Sequence, residues 1–599
     1  MLRGLLFRRS LLARTGPVYT PRRPFLHRRT FMSTAVKRAA DEEAPLAKRP
    51  KIDGEVSPGP ATSADAPAPV TDVQMEGESR DTTPKAQTAT PTTEEPVASS
   101  SGAQGPIKRA PDPNSKRSQR KADKRKDKGK DKDKDGRQPW TDRRRGTRAE
   151  DATEDGEPRE KAPRLPKRMC AVLIGFCGSG YNGMQIQKPP AKTIENELFD
   201  AFVRVGAVSR DNSDDPVKVG LKRAARTDAG VHAAGNLVSL KLITAIPGVP
   251  DLVARVNEEL PPQIRMWGFT RVTNSFEARQ MCDSRKYTYF FPSYMLIPPK
   301  PGTGNHTNLQ QFCEDAPVPA LDHPFWQGHA EDDPETEMQR KRLWRLPKDK
   351  LEALRRTAEK FEGTHNFHNF TVGRTFQDRS CMRYMKKIEI ADPIVYGDTE
   401  WIAVTLHGQS FMLHQIRKMM SALVLSVRND TPASVMDELY GARTTFIPKM
   451  PSLGLLLEHP IFDSYNRKAK AESKGAPGDA EYRAPIDFDQ YAEAIRAFKE
   501  EFIYKNMRAV EDRDGLFDAW IRHVDAYTGQ ELLYLNPKGT VPAVAALKPG
   551  ATRENPFKEK RKFNMTSFDE PIKDEESDEE VEEPVAKSAK GAKLAELEG

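Results

Sequence analysis

The chain has 599 residues, 30 % of them charged, with 48 prolines, five cysteines and a formal net charge of +8. Its length allows about three or four domains, but Pro and charge crowd the two ends and leave one enzyme-sized folded unit between them. Apolar runs such as 171–176, 237–243 and 453–457 are strand length, well short of the roughly 18 residues of a membrane helix. Membrane insertion is therefore excluded, and the cysteines lack the spacing of a zinc site or a disulfide framework, so no metal is expected.

In the first 40 residues Arg3, Arg8, Arg9, Arg14, Arg22, Arg23, Arg28 and Arg29 are interspersed with Leu and Phe, without any acid, a pattern that resembles a mitochondrial targeting leader. Met32 offers an internal start, after which Lys37-Arg38 and Lys48-Arg49-Pro50-Lys51 resemble a bipartite nuclear import signal read by an import receptor. Starts at Met1 and Met32 would thus serve mitochondrion and nucleus. Residues 41–165 read as a disordered Pro-rich linker. Within it, Lys116 to Arg148 holds 16 Lys or Arg against 6 Asp, an excess that suits an anionic partner or a solvated tether.

Order begins near Arg168. Residues 168–176 read as a strand, and Thr193 caps a helix with Ile194, Leu198, Phe202 and Val205 on one face and Gly206 at its end. The intervening Gly178-Ser179-Gly180-Tyr181-Asn182-Gly183 matches G-x-G-x-x-G, but Pro189-Pro190 delays the helix that a dinucleotide site needs, so the match is discounted. Strand-like runs follow at 217–225, 235–242, 263–272, 285–291, 387–390, 401–407 and 453–458, and helical ones at 251–260, 348–361, 412–427, 432–440 and 488–506. Without regular βαβ alternation these predict an α+β fold with a mostly antiparallel sheet flanked by helices. The folded core is expected over 166–470, with a surface insertion at 292–345, a helical extension at 471–545 and a disordered acidic tail at 546–599. That tail holds ten acids and one Lys between Asp569 and Glu583.

Arg226-Thr227-Asp228-Ala229-Gly230-Val231-His232-Ala233 is the most informative stretch. It sets one carboxylate, Asp228, in a Gly-containing bend between two strand-like runs, where it can be presented to a ligand. An Asp two residues before a Gly is also an ordinary turn former. The octapeptide as a whole resembles the catalytic loop of the TruA-type tRNA pseudouridine synthases. Tyr181 to Gln185, Phe276-Glu277-Ala278-Arg279, Arg285-Lys286-Tyr287, Gly363 to Phe367, His407 to Met419 and Pro451 to Leu455 follow in that family's order. The Phe370 to Gly373 and Gly397 to Trp401 segments resemble its eukaryotic synthase 1 branch. Two positions depart from the pattern: Met184 stands where bacterial members often have Trp, and Ala229 where the eukaryotic branch often has Lys.

The resemblance implies a TruA-like fold with long disordered termini, and a reaction without metal or organic cofactor. It implies tRNA as substrate, with small nuclear RNA or mRNA as further targets, and Asp228 as the covalent catalyst. Arg417 would be the cation that keeps the carboxylate ionised, and Tyr287 would stack on the target uracil and take the C5 proton. Because the uridine must leave its stack, Arg226 would fill its place or contact a phosphate. Leu455 would line the uracil pocket or pack in the core. Lys222, Arg223 and Lys418 are candidate phosphate contacts. His232, His365 and His414 receive no acid or base role. The insertion and the C-terminal helix would block the dimer interface of bacterial members, so a monomer is expected. A different class of function on the same fold is a catalytically inactive chaperone that remodels tRNA.

Overall fold

The computed structural model describes residues 164–548, apart from 314–321, 330, 474–475, 477–478 and 480–481, and residues 561–567. The targeting leader, the import signal, the basic linker and the acidic run after Asp569 lie outside the described residues.

Ten strands form one sheet. They are β1 (Lys167–Phe176), β2 (Lys222–Arg223), β3 (His232–Ile243), β4 (Ile264–Arg271), β5 (Ser284–Pro292), β6 (Gly363–Asn366), β7 (Met382–Ile390), β8 (Ile394–Tyr396), β9 (Thr399–Gly408) and β10 (Leu455–Ile461). The order is β4-β1-β3-β10-β5-β9-β7-β6, with β2 paired to β3 and β8 to β9. Among the described strands the only parallel pair is β3 with β10, through Leu456 opposite His232 and Leu457 opposite Ala233. That seam joins an N-terminal half-sheet, β4-β1-β3, to a C-terminal one, β5-β9-β7-β6.

β1 shows why the core runs are continuously apolar. Cys170, Val172, Ile174 and Phe176 enter one hydrophobic cluster, while Met169, Ala171 and Leu173 enter a second on the opposite face. Side chains alternate across a strand, so a strand covered on both sides must be apolar at every position. The first face is covered by helix Ile194–Val205, whose Thr193 side chain accepts from Asn196 N–H and whose Gly206 closes it at φ 86°, as the sequence predicts. Helix Gln415–Arg428 is buried at all 14 positions. It therefore sits within the protein, rather than presenting one apolar stripe.

Three expectations need correction. The strand expected at 217–225 shrinks to β2, because Pro216 opens a 3-10 turn capped by Asp215 and Gly220 leaves it at φ 69°. The insertion at 292–345 is not a surface loop. Its Ser293–Leu296 turn is fully buried, the buried Trp326 indole donates to Pro298 O at 3.0 Å, and Lys341 donates to Asp518 at 2.7 Å. The tail expected to be disordered from 546 onward contains a described segment, 561–567, that packs with Phe563 1 % exposed. Further on, the expected helix at 488–506 extends to Asp514 through a π segment at Lys499–Tyr504. It is seated on β4, with Trp267 and Phe498 rings edge to face at 5.3 Å. Among the described residues no helix is long and apolar enough to cross a membrane.

Candidate active site

The loop from Arg226 to Val231 runs into β3 and is held against the Gly178 to Met184 segment at backbone distance. Met184 N–H donates to Thr227 O at 3.1 Å and Gly230 N–H to Tyr181 O at 3.3 Å. A side chain at Gly178 would lie 2.1 Å from Val231 O and one at Gly183 2.8 Å from Thr227 O. Gly178 and Gly183 of the discounted G-x-G-x-x-G thus serve close approach of two backbones, while a side chain at Gly180, which takes φ 81°, would meet nothing within 4 Å among the described residues. His232 completes the clamp: its Nδ1 accepts from Gly178 N–H at 3.1 Å, and its Nε2 faces Leu453 O at 3.1 Å. Burial pushes this imidazole down to about 4, so it is neutral, with Nε2–H donating to the carbonyl, and its role is structural.

The seam between the half-sheets brings the other parts together. β10 pairs Leu456 with His232 and Leu457 with Tyr287 of β5, so the Asp228 loop, Leu455 and Tyr287 meet at one place. From the far side comes the turn 411–414, which feeds helix Gln415–Arg428. Arg226, Asp228, Arg285, Tyr287, Phe411, His414, Arg417 and Leu455 line one cavity there. Tyr287 is held edge to face by Phe411 at 5.1 Å and 80°, and its neighbour Tyr289 donates to Pro451 O at 2.6 Å.

The cavity sets one carboxylate, Asp228, beside the guanidinium groups of Arg226, Arg285 and Arg417. Burial raises the Asp228 carboxyl above its usual value, against the pull of Arg417 and then Lys449. The side chain keeps 27 % of its surface open to the cavity. No ion pair joins Arg417 to Asp228 within 4.0 Å among the described residues. The guanidinium instead donates Nε–H to Met450 O at 2.6 Å and Nη2–H to Phe563 O at 3.2 Å and Asn564 Oδ1 at 2.8 Å. Its charge reaches the carboxylate through space. The nearer neighbour is His414, whose Nε2 lies 3.7 Å from Asp228 Oδ2. Burial, followed by Lys449, Arg417 and Lys418, holds this imidazole well below its usual value, so it faces Asp228 as a neutral ring. His414 also has φ 61°, rare for a residue with a side chain. Burial pushes the Tyr287 phenol far above its usual value.

Of the predicted site residues, the fold collects Asp228, Tyr287, Arg417, Arg226 and Leu455 around this cavity, and Lys222 remains exposed on β2. Arg223 and Lys418 require correction as phosphate contacts. Arg223 forms a two-pronged pair with the fully buried Glu195, at 2.6 and 2.8 Å. Lys418 is 3 % exposed, with its ammonium 5.2 Å over the Phe446 ring. Sequence reasoning passed over Arg285, Phe411 and Asn564. Arg285 and Phe411 stand inside quoted motifs and were within reach, but nothing near Asn564 signals a role, since it lies 147 residues from Arg417.

A family profile described as tRNA pseudouridine synthase matches residues 357–463. A Candida glabrata protein named tRNA pseudouridine synthase 1 is 41 % identical over 430 residues, covering 65 % of this chain and 76 % of the relative. The Saccharomyces cerevisiae protein of that name is 40 % identical over 417 residues, 62 % and 74 % of the two chains. The chain belongs to the tRNA pseudouridine synthase family. Another Saccharomyces cerevisiae member, named tRNA pseudouridine(27/28) synthase, is 39 % identical over 325 residues, half of this chain and 85 % of that one. Pseudouridine synthases are isomerases, and this chain is an enzyme of that class with the TruA-type fold that the sequence motifs implied. The matched profile spans the Arg417 helix and β10 but not the Asp228 loop.

Proposed function

We propose that this chain isomerises uridines of tRNA to pseudouridine with Asp228 as the covalent catalyst. The observation that carries this reading is the cavity itself: one carboxylate, drawn from water, facing a buried guanidinium and an aromatic wall. The reaction breaks the C1′–N1 bond, turns the uracil, forms a C1′–C5 bond, and moves a proton from C5 to solvent while N1 takes one up. The net change requires no external energy, so the site has only to capture and hold the detached pieces. A carboxylate whose burial raises its proton affinity is a better nucleophile or base when ionised. The Arg417 charge keeps that ionised form populated at neutral pH.

Tyr287 supplies a flat wall, set by Phe411, for the uracil, and Leu455 closes the pocket. The strongly raised phenol favours stacking over storage of a phenolate base. The C5 proton is then better taken by the Asp228 carboxylate after release, or by water. Arg226, which lines the cavity with Asp228, occupies the space left by the extruded nucleotide, and Lys222 meets a phosphate outside. Small nuclear RNA and mRNA are further substrates on this reading. The leader and the basic clusters before the core send the enzyme to mitochondrion and nucleus, which fluorescent fusions begun at Met1 and at Met32 would separate.

The test is pseudouridine formation on unmodified tRNA transcripts, mapped by position, for the wild type and Asp228→Ala. Asp228→Ala should bind tRNA normally and lose about 10³-fold or more in rate, about 4 kcal/mol of barrier. Modification by Asp228→Ala at the wild-type rate would overturn the assignment. Binding by both proteins with modification by neither would favour a chaperone.

A further inference from the structure

Arg417 is 1 % exposed, and its hydrogen-bond acceptors among the described residues are all neutral: the Met450 carbonyl, the Phe563 carbonyl and the Asn564 side-chain amide oxygen. Two of the three come from the 561–567 segment. That segment is pinned over the site by its own bonds. Ser452 Oγ donates to Asn564 O at 2.9 Å, Gly180 N–H to Thr566 O at 2.6 Å, and the Ser179 and Thr566 hydroxyls meet at 2.7 Å. It also touches the Asp228 loop, since a side chain at Gly230 would come within 2.7 Å of Asn564 O. A buried guanidinium usually takes a carboxylate partner, and a paired cation presents little net charge to a third group.

We propose that Asn564 is a positioning residue of the active centre, fixing Arg417 through a neutral acceptor so that the guanidinium charge is left to act on Asp228. The inference rests on the reading of Asp228 as the catalytic carboxylate. An Asp at position 564 would have nearly the same shape and would hold Arg417 at least as firmly, but would cancel its charge. Asp228 is faced by His414 and Arg417 from the 411–428 turn and helix, by Lys449, by Arg285 and Tyr287 of β5, and by Arg226 of its own loop. Arg417 itself also faces Tyr289. One added anion would shift this balance toward the protonated Asp228.

The experiment measures single-turnover rates on a tRNA transcript against pH for full-length wild type, Asn564→Asp and Asn564→Ala, with melting curves and tRNA affinity alongside. Asn564→Asp should move the acid limb up by about one pH unit, with the rate recovering toward wild type at high pH and tRNA affinity little changed. Asn564→Ala should lower the rate about ten-fold, a loss of about 1.4 kcal/mol, while moving the limb less than half as far. An unmoved limb in a folded Asn564→Asp overturns the inference, because a purely structural clamp tolerates that exchange. If Asn564→Asp does not melt cooperatively, wild-type rates in Asn564→Ala overturn it instead. An active Asp228→Ala would sink the underlying assignment whatever position 564 does. An inactive Asp228→Ala with an unmoved limb in Asn564→Asp sinks this inference alone.

Discussion

The helix Gln415–Arg428 carries an arginine near each end, and the two are treated in opposite ways. Arg428 is closed off by a carboxylate, with Nη1 2.6 Å from Asp525 Oδ1 and Nη2 3.0 Å from Oδ2. Arg417, equally buried, receives only carbonyl and amide oxygens. A two-pronged pair in the interior satisfies both charges and radiates little field. A cation solvated only by dipoles remains a source of field for whatever enters the cavity beside it. One end of the helix is thus closed by an ion pair, and the other, on the function proposed for the cavity, is left to act on a substrate.

The sharpest way to break this contrast is at the paired end. Asp525→Ala would strand the Arg428 charge and should cost about 3–5 kcal/mol of stability, read by urea unfolding, with catalytic rate per folded molecule nearly unchanged. A loss of rate without a loss of stability would show that the pair belongs to the site. At the open end Arg417→Gln should do the reverse. About 10²-fold of rate, about 3 kcal/mol, should go with the field, while the melting temperature moves less than in Asp525→Ala.

A buried carboxyl held largely uncharged refines the rule. Glu511 likewise has only neutral hydrogen-bond partners among the described residues, accepting from the Tyr294 hydroxyl and, at 2.9 Å, from Phe517 N–H, and burial pushes it up to about 8. Its pKa is higher folded than unfolded. Its contribution is therefore fully present below the unfolded value near 4.5 and drains away as pH rises toward 8. Glu511→Gln should flatten that slope and raise stability at pH 8, by about 1 kcal/mol or more, relative to pH 5. A parallel stability–pH curve for wild type and variant would refute this. Smallest should be Lys222→Ala on the exposed edge. It should weaken tRNA binding uniformly across sequences and lower the salt slope by about one charge or less.

The sequence was most legible where a local cause sufficed. Thr193 and Gly206 bracket their helix because capping is a matter of a few neighbouring atoms. The octapeptide announced the Asp228 loop for the same reason. Misjudged segments were those in which distant partners decide. Residues 217–225 look strand-like by apolar content, but Pro216 and Gly220 break the ladder. Residues 292–345 lack a clear apolar stripe because their helices, Gly304–Phe312 and Pro334–Leu343, are short and one is tied to helix Leu516–Asp525 by charge, with Lys341 matched to Asp518. Arg223 and Lys418 are indistinguishable from surface cations in a string of letters, until Glu195 and Phe446 are brought beside them. The acceptors of Arg417 were the least visible, since a backbone carbonyl has no letter and Asn564 stands in a stretch whose composition suggests only a tail.

The hydroxyls of Ser179 and Thr566 lie 387 residues apart in the chain and within hydrogen-bond reach in space. The first half-sheet emerges from the ribosome early and can begin to form while the rest is being made. The Asp228 loop within it stays without Arg417 until the helix at 415 follows, and Arg417, held first by Met450 O, waits for residues 563 and 564 to supply its other two acceptors. A chain cut before residue 563 therefore leaves Arg417 with one of its three acceptors, Met450 O. Translation itself orders the events, so that the guanidinium of the cavity receives the last of its acceptors only once residue 564 has been made.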